Sequence, residues 1–429
     1  MRTILIIYPH FPPSNLAGVH RPRLFAQHLP EFGWEPIILT VKEKFYEEKL
    51  DENLVKLLPA GLHIEKVNAR PVSSVRMIGD IGLRAFSFLY TRALEIIQSR
   101  KIDFIYIPVP SFYVALLGNR LYKKTKIPYG IDYIDPWVHS FPGSNKIFSR
   151  HWVATQIAKW LEPIAVRNAS LITGVAEGYY LPVLERNPKL RTHVVYGAMP
   201  YGGEEADHIK VKELGLKPYL FQHQPDKITF VYAGAMLPKA YKPLEEIFIS
   251  IQHHPDLFKD VVFHFIGTGK SPNDPEGFNI KPLAEKYGLW HKNIFEYPAR
   301  IPYLDVLVHL EAADAIFILG STEPHYTPSK TYQGVLSKKP LFAVLHKKST
   351  AAAIITASNA GRVISFEGEK EVSIISKKFA EEFKAFKAFQ EAFSPEAVNQ
   401  AAFKAYSAKN VTGKLVALLN KAVNKNIQE

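Results

Sequence analysis

Short apolar runs alternate along this chain with longer stretches of helical periodicity, and they do so twice over. That alternation is the mark of strands joined by crossover helices, and so of mainly parallel sheets. The first series of predicted strands covers 3–8, 36–40, 104–107, 129–133, 171–174 and 192–195. The second covers 228–233, 261–266, 294–297, 315–319, 341–344 and an edge strand near 362–365. The layout is duplicated without any repeated sequence. With 429 residues, 47% of them hydrophobic, the chain can fill two cores. The predicted boundaries are 1–200 for a first Rossmann-like domain, 201–226 for a connection rich in Gly, Pro and charge, 227–405 for a second such domain, and 406–429 for a terminal amphipathic helix.

The opening MRTILIIYPHFPP reads as a strand, its apolar part too short and too soon broken by prolines for a secretory signal. No apolar run approaches the roughly 18 residues of a spanning helix. The absence of cysteine excludes thiolate metal sites, disulfides and cysteine nucleophiles, and fits a reducing compartment. Formal charge is +12, and residues 66–126 concentrate it, with eleven Lys and Arg against three acids. Within that stretch SVRMIGDIGLRAFSFLYTRALEII places arginines among bulky apolar residues. It reads either as a helix lying on an anionic bilayer or as a core helix with solvated arginines. No recognition helix, zinc finger or aromatic RNA-binding pattern accompanies the charge, which argues against nucleic acid.

In sheets of this kind ligands settle beyond the carboxyl ends of the strands. The segment HYTPSKTYQGVLSKKP follows such a strand: Pro324 and Pro328 keep the loop out of helical geometry, Ser329 is placed to cap the next helix, and Lys330 adds a charge at its first turn. An anion could be held there, or the segment could be an ordinary capped helix with a surface lysine. Gly234, Lys239 and Lys242 follow another strand, Gly267 sits in a tight turn after the next, and Arg300 follows a third. In the first half, Gly18 could let backbone approach a ligand, with Arg21 and Arg23 at the following helix to meet a phosphate; a plain loop with solvated arginines reads equally well. Asp135, Trp137 and His139 gather after the strand 129–133, either as a sugar-binding constellation or as a turn with Trp137 in the core.

These residues resemble those of the GT-B glycosyltransferases, specifically the retaining family 4 in its Asp-Pro-Trp variant. FPPSNLAGVHRPRLFAQHLPEFGWEPIILT is similar to the family's first strand, glycine-bearing loop and first helix, YIDPWVHS to its sugar-proximal loop, and SKTYQGVLSKKPLFAV to its Lys-x-Tyr-Glu helix. The resemblance implies an α/β fold of two doubly wound Rossmann-like domains with parallel sheets facing a central cleft. It also implies a donor nucleotide in the C-terminal domain, an acceptor in the N-terminal domain, no metal and no cofactor beyond a UDP- or GDP-linked sugar. Under it Asp135, Lys330 and Lys239 are expected at the chemistry, and Gly18, Gly234, Lys242, Gly267, Arg300, His325, Ser329, Tyr332 and Gln333 at the donor. Arg21, Arg23, Trp137 and His139 are expected at the acceptor. The chain departs from the family by carrying His325 and Gln333 where two glutamates are usual, Lys338 for a common glycine and Ala235 for a common arginine.

The expected activity is transfer of a hexose-type sugar, with retention, to a lipid-linked or polysaccharide acceptor in bacterial surface glycan synthesis. It is placed in the cytoplasm at the inner face of the membrane, with residues 66–126 as the peripheral contact. Two rivals are a non-catalytic nucleotide-sugar or membrane-binding protein of the same fold and, with less support, a nucleotide-sugar 2-epimerase.

Overall fold

Thirteen strands build two separate parallel sheets in the computed structural model, which describes residues 1–72, 80–138, 146–271, 273–324 and 326–428. One unit comprises Met1–Gly202 with Ala408–Glu429, and the other Gly203–Ser407. In unit 1 the strands are β1 Arg2–Ile7, β2 Trp34–Val41, β3 His63–Val67, β4 Phe104–Val109, β5 Tyr129–Tyr133, β6 Leu171–Gly174 and β7 Val195–Ala198, ordered β3-β2-β1-β4-β5-β6-β7. In unit 2 they are β8 Ile228–Ala233, β9 Val261–Ile266, β10 Ile294–Tyr297, β11 Ala315–Leu319, β12 Leu341–His346 and β13 Gly361–Phe366, ordered β10-β9-β8-β11-β12-β13. The order reverses between β1 and β4, and again between β8 and β11, so each sheet has a switch point where a crevice opens beyond the strand ends.

Strands covered on both faces read as unbroken apolar runs, and the side-chain alternation distributes them between two cores. Leu5 and Ile7 of β1 join the core under the helices Ile81–Ser99 and Ala115–Thr125, while Ile4 and Ile6 join the opposite core. That second core is closed by the helix His20–His28 and by the terminal helix Ala408–Gln428, whose Val411, Leu415 and Leu419 pack beside Phe25 and Trp34. Unit 2 fills its core with phenylalanines, among them Phe230, Phe263, Phe317, Phe342, Phe383 and Phe386. The stretch expected as an interdomain connection at 201–226 carries the helix Glu205–Glu213, anchored within unit 2 by the Tyr303 hydroxyl donating to Asp207 at 2.9 Å. Among the described residues no helix is long and apolar enough to cross a membrane.

The arginine-rich stretch takes the second of its two readings. Asp80 caps the helix Ile81–Ser99 by accepting from the Leu83 amide at 2.8 Å, and Ile81, Ala85, Leu89, Ala93 and Ile96 point into the core. Arg84 is buried and donates to the carbonyl of Arg70 and to Glu47. Arg92 is bound by Glu65 and Glu95, and Arg120 lies 4.3 Å from the centre of the Tyr90 ring. Most of the apolar face is committed to the core and Arg84 and Arg92 are paired, which leaves Leu83 and Phe88 as the exposed large apolar side chains of this helix; Arg76, within 73–79, lies outside the described residues.

Candidate functional site

At the β8/β11 switch point of unit 2 the strand ends are stitched together by backbone. The Gly234 amide donates to the Ile266 carbonyl at 2.8 Å, Gly267 to Tyr297 at 2.8 Å, and Thr322 to Lys239 at 3.1 Å. Gly234, Gly267, Lys239 and the loop after β11 therefore form one continuous ledge. Gly234 holds φ at 121°, and a β-carbon there would sit 3.2 Å from the Lys330 ammonium, so glycine is what lets the lysine end lie against the backbone.

Lys330 opens the helix Lys330–Leu336. Although the residue as a whole is half-exposed, its Nζ is buried and has no hydrogen-bond acceptor among the described residues; it stands 3.6 Å from the centre of the Tyr232 ring. Burial brings its pKa down to about 7. A dehydrated cation held only by a ring face is costly to keep, and an anion entering the ledge would relieve that cost.

The surroundings of Lys330 differ from expectation in four respects. Ser329 does not cap the helix with its side chain, and the Thr331 and Tyr332 amides bond back to the carbonyls of Pro328 and Ser329, so fewer free amides face the loop mouth. Lys239 is paired with Glu323, and Lys242 with Glu369, each at 3.0 Å, because the loops after β11 and β13 bring carboxylates to meet them. Tyr332 is wholly buried against Tyr406 rather than turned to a donor. Gln333 presents its amide to His208 at 3.0 Å, and His208 in turn meets Glu311 at 2.7 Å, so this side chain is held inside unit 2. Gly267 and Arg300 do come together: a β-carbon on the glycine would be 3.8 Å from the Arg300 Cα. His325 lies outside the described residues.

Unit 1 corrects more of the list. Gly18 faces the Tyr8 hydroxyl, which would be 2.1 Å from an added β-carbon, so the glycine makes room for a tyrosine and not for a ligand. Arg21 is buried, bound by both Asp132 oxygens and donating to the carbonyls of Met199 and Pro200 at 2.9 and 3.0 Å. Burial works against its charge, and Asp132 more than offsets that, raising the pKa above the ordinary arginine value. Arg23 is likewise fully buried. Neither guanidinium is placed to meet an acceptor. Trp137 takes the core reading, buried and stacked on Phe112 at 5.5 Å with planes 8° apart. Asp135 remains exposed beyond β5, close enough to Tyr8 to add to the burial that drives that hydroxyl's pKa up. His139 lies outside the described residues.

Sequence reasoning assigned no role to the cluster that occupies the β1/β4 switch point. His10 Nδ1 meets Glu48 Oε1 at 2.9 Å, the Ser14 hydroxyl donates to the same oxygen, and the His10 ring lies tilted beside that of Tyr46, centres 5.2 Å apart. Burial pushes the Glu48 carboxyl up, but the hydrogen bonds and charge of His10 and the Ser14 bond outweigh it and hold the pKa near about 2. Asp80, raised by burial, and Ser111 complete the group. His10 stood in a quoted loop, yet Glu48 is 38 positions away and nothing local links them. The cavity of about 380 Å³ lined by Lys42, Lys66, Phe88, Arg92 and Glu95 lies off this switch point, and its Lys66 and Arg92 are already paired.

No family model and no curated protein matches the chain. Solved structures do match it. A glycosyltransferase from Rickettsia africae aligns over 98% of both chains with a TM-score of 0.61 at 15% identity. HepE from Anabaena, solved in complex with UDP and glucose, covers 98% of this chain and 100% of its own at TM-score 0.62 and 14% identity. The α,α-trehalose 6-phosphate synthase of Burkholderia multivorans covers 100% and 98% at TM-score 0.64 and 12% identity. The fold is that of the GT-B glycosyltransferases. Two Rossmann-like domains with seven- and six-stranded parallel sheets are common ground with these GT-B neighbours, and at such identities the likeness speaks for architecture.

Proposed function

We propose that this chain is a glycosyltransferase that draws a sugar from a nucleotide diphosphate donor held at the β8/β11 switch point. The observation that carries the proposal is the buried Lys330 ammonium, unpartnered beside Gly234 at the place where a doubly wound sheet takes its ligand. HepE, of the same fold, was solved with UDP and glucose, which favours a uridine nucleotide, with guanosine as the other expectation.

The hard step is departure of the nucleoside diphosphate as positive charge grows on the sugar. An ammonium already stripped of water and fixed by Tyr232 stabilises the charge developing on phosphate oxygens without reorganisation, and removing one such donor costs about two to three powers of ten in rate. Lys239 contributes only if Glu323 yields it. Asp135 is assigned to positioning of sugar or acceptor, since no second carboxylate accompanies it in the loop. Retention, a lipid-linked or polysaccharide acceptor and action at the inner face of a bacterial membrane complete the reading, all on the strength of the family resemblance.

The test is incubation with UDP- and GDP-sugars and a membrane extract. Sugar appearing on lipid or glycan supports transfer, and isomerised donor without acceptor supports an epimerase. A second reading, nucleotide-sugar binding without turnover, is favoured by the Lys239–Glu323 and Lys242–Glu369 pairs and by the inward Gln333. Binding in calorimetry with neither product would select it, and absence of nucleoside diphosphate binding would overturn both.

A further inference from the structure

The helix Arg150–Val166 of unit 1 is built the opposite way to its neighbours. Ser149 caps it by accepting from the Trp152 amide at 3.1 Å. Its buried side chains are small or charged: Ala158, Ala165, Val166 and Glu162, the last bound twice by Arg186 at 2.8 Å. Leu161 packs partly against the core, but four large apolar side chains face solvent. Val153, Ile157, Trp160 and Ile164 recur every three or four residues, which stacks them into one stripe on the side opposite Glu162. Trp160 is 70% exposed, and just before the helix Ile147 and Phe148 are exposed by 68% and 83%. A stripe of this length is not needed by the core and calls for a partner.

Charge decides which partner. Lys146, Arg150, Lys159 and Arg167 are all exposed, and across 146–167 the one acid is Glu162, buried and paired. A protein interface centre is depleted of lysine, whereas a bilayer interface takes an indole and a phenyl ring below and ammonium and guanidinium groups at the phosphates. We propose that this face docks on the surface of an anionic lipid bilayer, with Phe148 and Trp160 entering the headgroup boundary and the four cations meeting lipid phosphates. The proposed membrane contact thus falls at 146–167, where Trp160 is 70% and Phe148 83% exposed, ahead of 66–126, where Leu83 and Phe88 are exposed by only 37% and 39% and Arg84 and Arg92 are already paired. This inference does not depend on the donor site.

The experiment uses the full chain and co-sedimentation with phosphatidylcholine vesicles, with and without phosphatidylglycerol. Binding is expected to the anionic vesicles, weakening with salt and accompanied by a blue shift of tryptophan fluorescence. The double variant Phe148→Ser/Trp160→Ser and the double variant Lys146→Glu/Lys159→Glu should each lower the partition coefficient by about tenfold or more. All four side chains are exposed, so the fold should survive, which circular dichroism checks. No binding to either vesicle, or equal binding by wild type and both variants, would overturn the proposal. So would a dimer mass in light scattering that Phe148→Ser/Trp160→Ser abolishes, since the stripe would then belong to a second copy of the chain.

Discussion

Lys330 of the loop-to-helix junction rests on Tyr232 of β8, ammonium to ring centre 3.6 Å, and among the described residues nothing accepts a hydrogen bond from it. The pair keeps a cation where water has been removed, which is expensive for folding and useful for binding. Lys330→Met should therefore do two opposite things. Affinity for UDP, read by calorimetry, should fall by about 2 kcal/mol, the scale of a lost charged hydrogen bond, while the melting temperature stays level or rises. A variant that binds as well as wild type but melts earlier would make Lys330 a structural residue.

The same burial predicts proton uptake on binding. With its pKa brought to about 7 by desolvation, Lys330 in the free protein is mostly neutral at pH 8. A diphosphate beside it favours the charged form, so the complex holds up to one more proton and affinity weakens as pH rises above 7. Titrations at pH 8 in two buffers of different ionisation enthalpy should give heats that differ accordingly. For stability the sign runs the other way. The unfolded lysine titrates near 10.5, so between about 7 and 10.5 the unfolded chain binds more protons, and folding gains as pH rises through that window.

Arg21 and Asp132 make a contrasting case, since both are buried and each satisfies the other. Asp132→Asn leaves the guanidinium with a neutral partner, and Arg21→Met leaves a carboxylate uncompensated. The latter should cost about 3–5 kcal/mol in chemical denaturation. Acceptor KM in whatever folded fraction remains should be unchanged; a raised KM with normal stability would return Arg21 to the acceptor site.

What could be read in advance follows from how local the signal is. β8, β9 and β11 are covered on both faces, so their apolar runs have sharp ends. β3, HIEKV, is an edge strand with only Val67 buried and shows no such run. β7 was expected at 192–195 but is the glycine-bearing Val195–Ala198, because Thr192 closes a short 3₁₀ turn. The nearness of Gly234 and Lys330 was legible because each follows a strand. The partners that reassign Arg21, Gln333, Lys239 and Lys242 were not, because they stand 84 to 127 positions away and only the sheet order brings them in.

Glu48 supplies a pH-dependent term that can be isolated. Its folded pKa is depressed to about 2 against 4.5, chiefly through His10 working against burial. Its contribution to stability is therefore complete above about pH 5 and is lost as pH falls from there toward 2. His10→Ala should flatten that part of the acid unfolding curve. An unchanged acid limb would mean that the His10–Glu48 bond contributes nothing in solution.

His208 fixes the meaning of Gln333. Its ring bridges Glu311 at 2.7 Å and Gln333 at 3.0 Å, and removing it leaves both without that partner, for a cost of about 1–3 kcal/mol in His208→Ala. Gln333→Glu restores the residue usual in the resembled family. If the side chain stays with His208, a carboxylate there gains an imidazole contact and no contact with ribose, so UDP-sugar affinity should remain within about twofold, well under the 1.4 kcal/mol that a tenfold change represents. A tenfold gain in affinity would show that position 333 reaches the donor, and that the inward orientation gives way when nucleotide arrives.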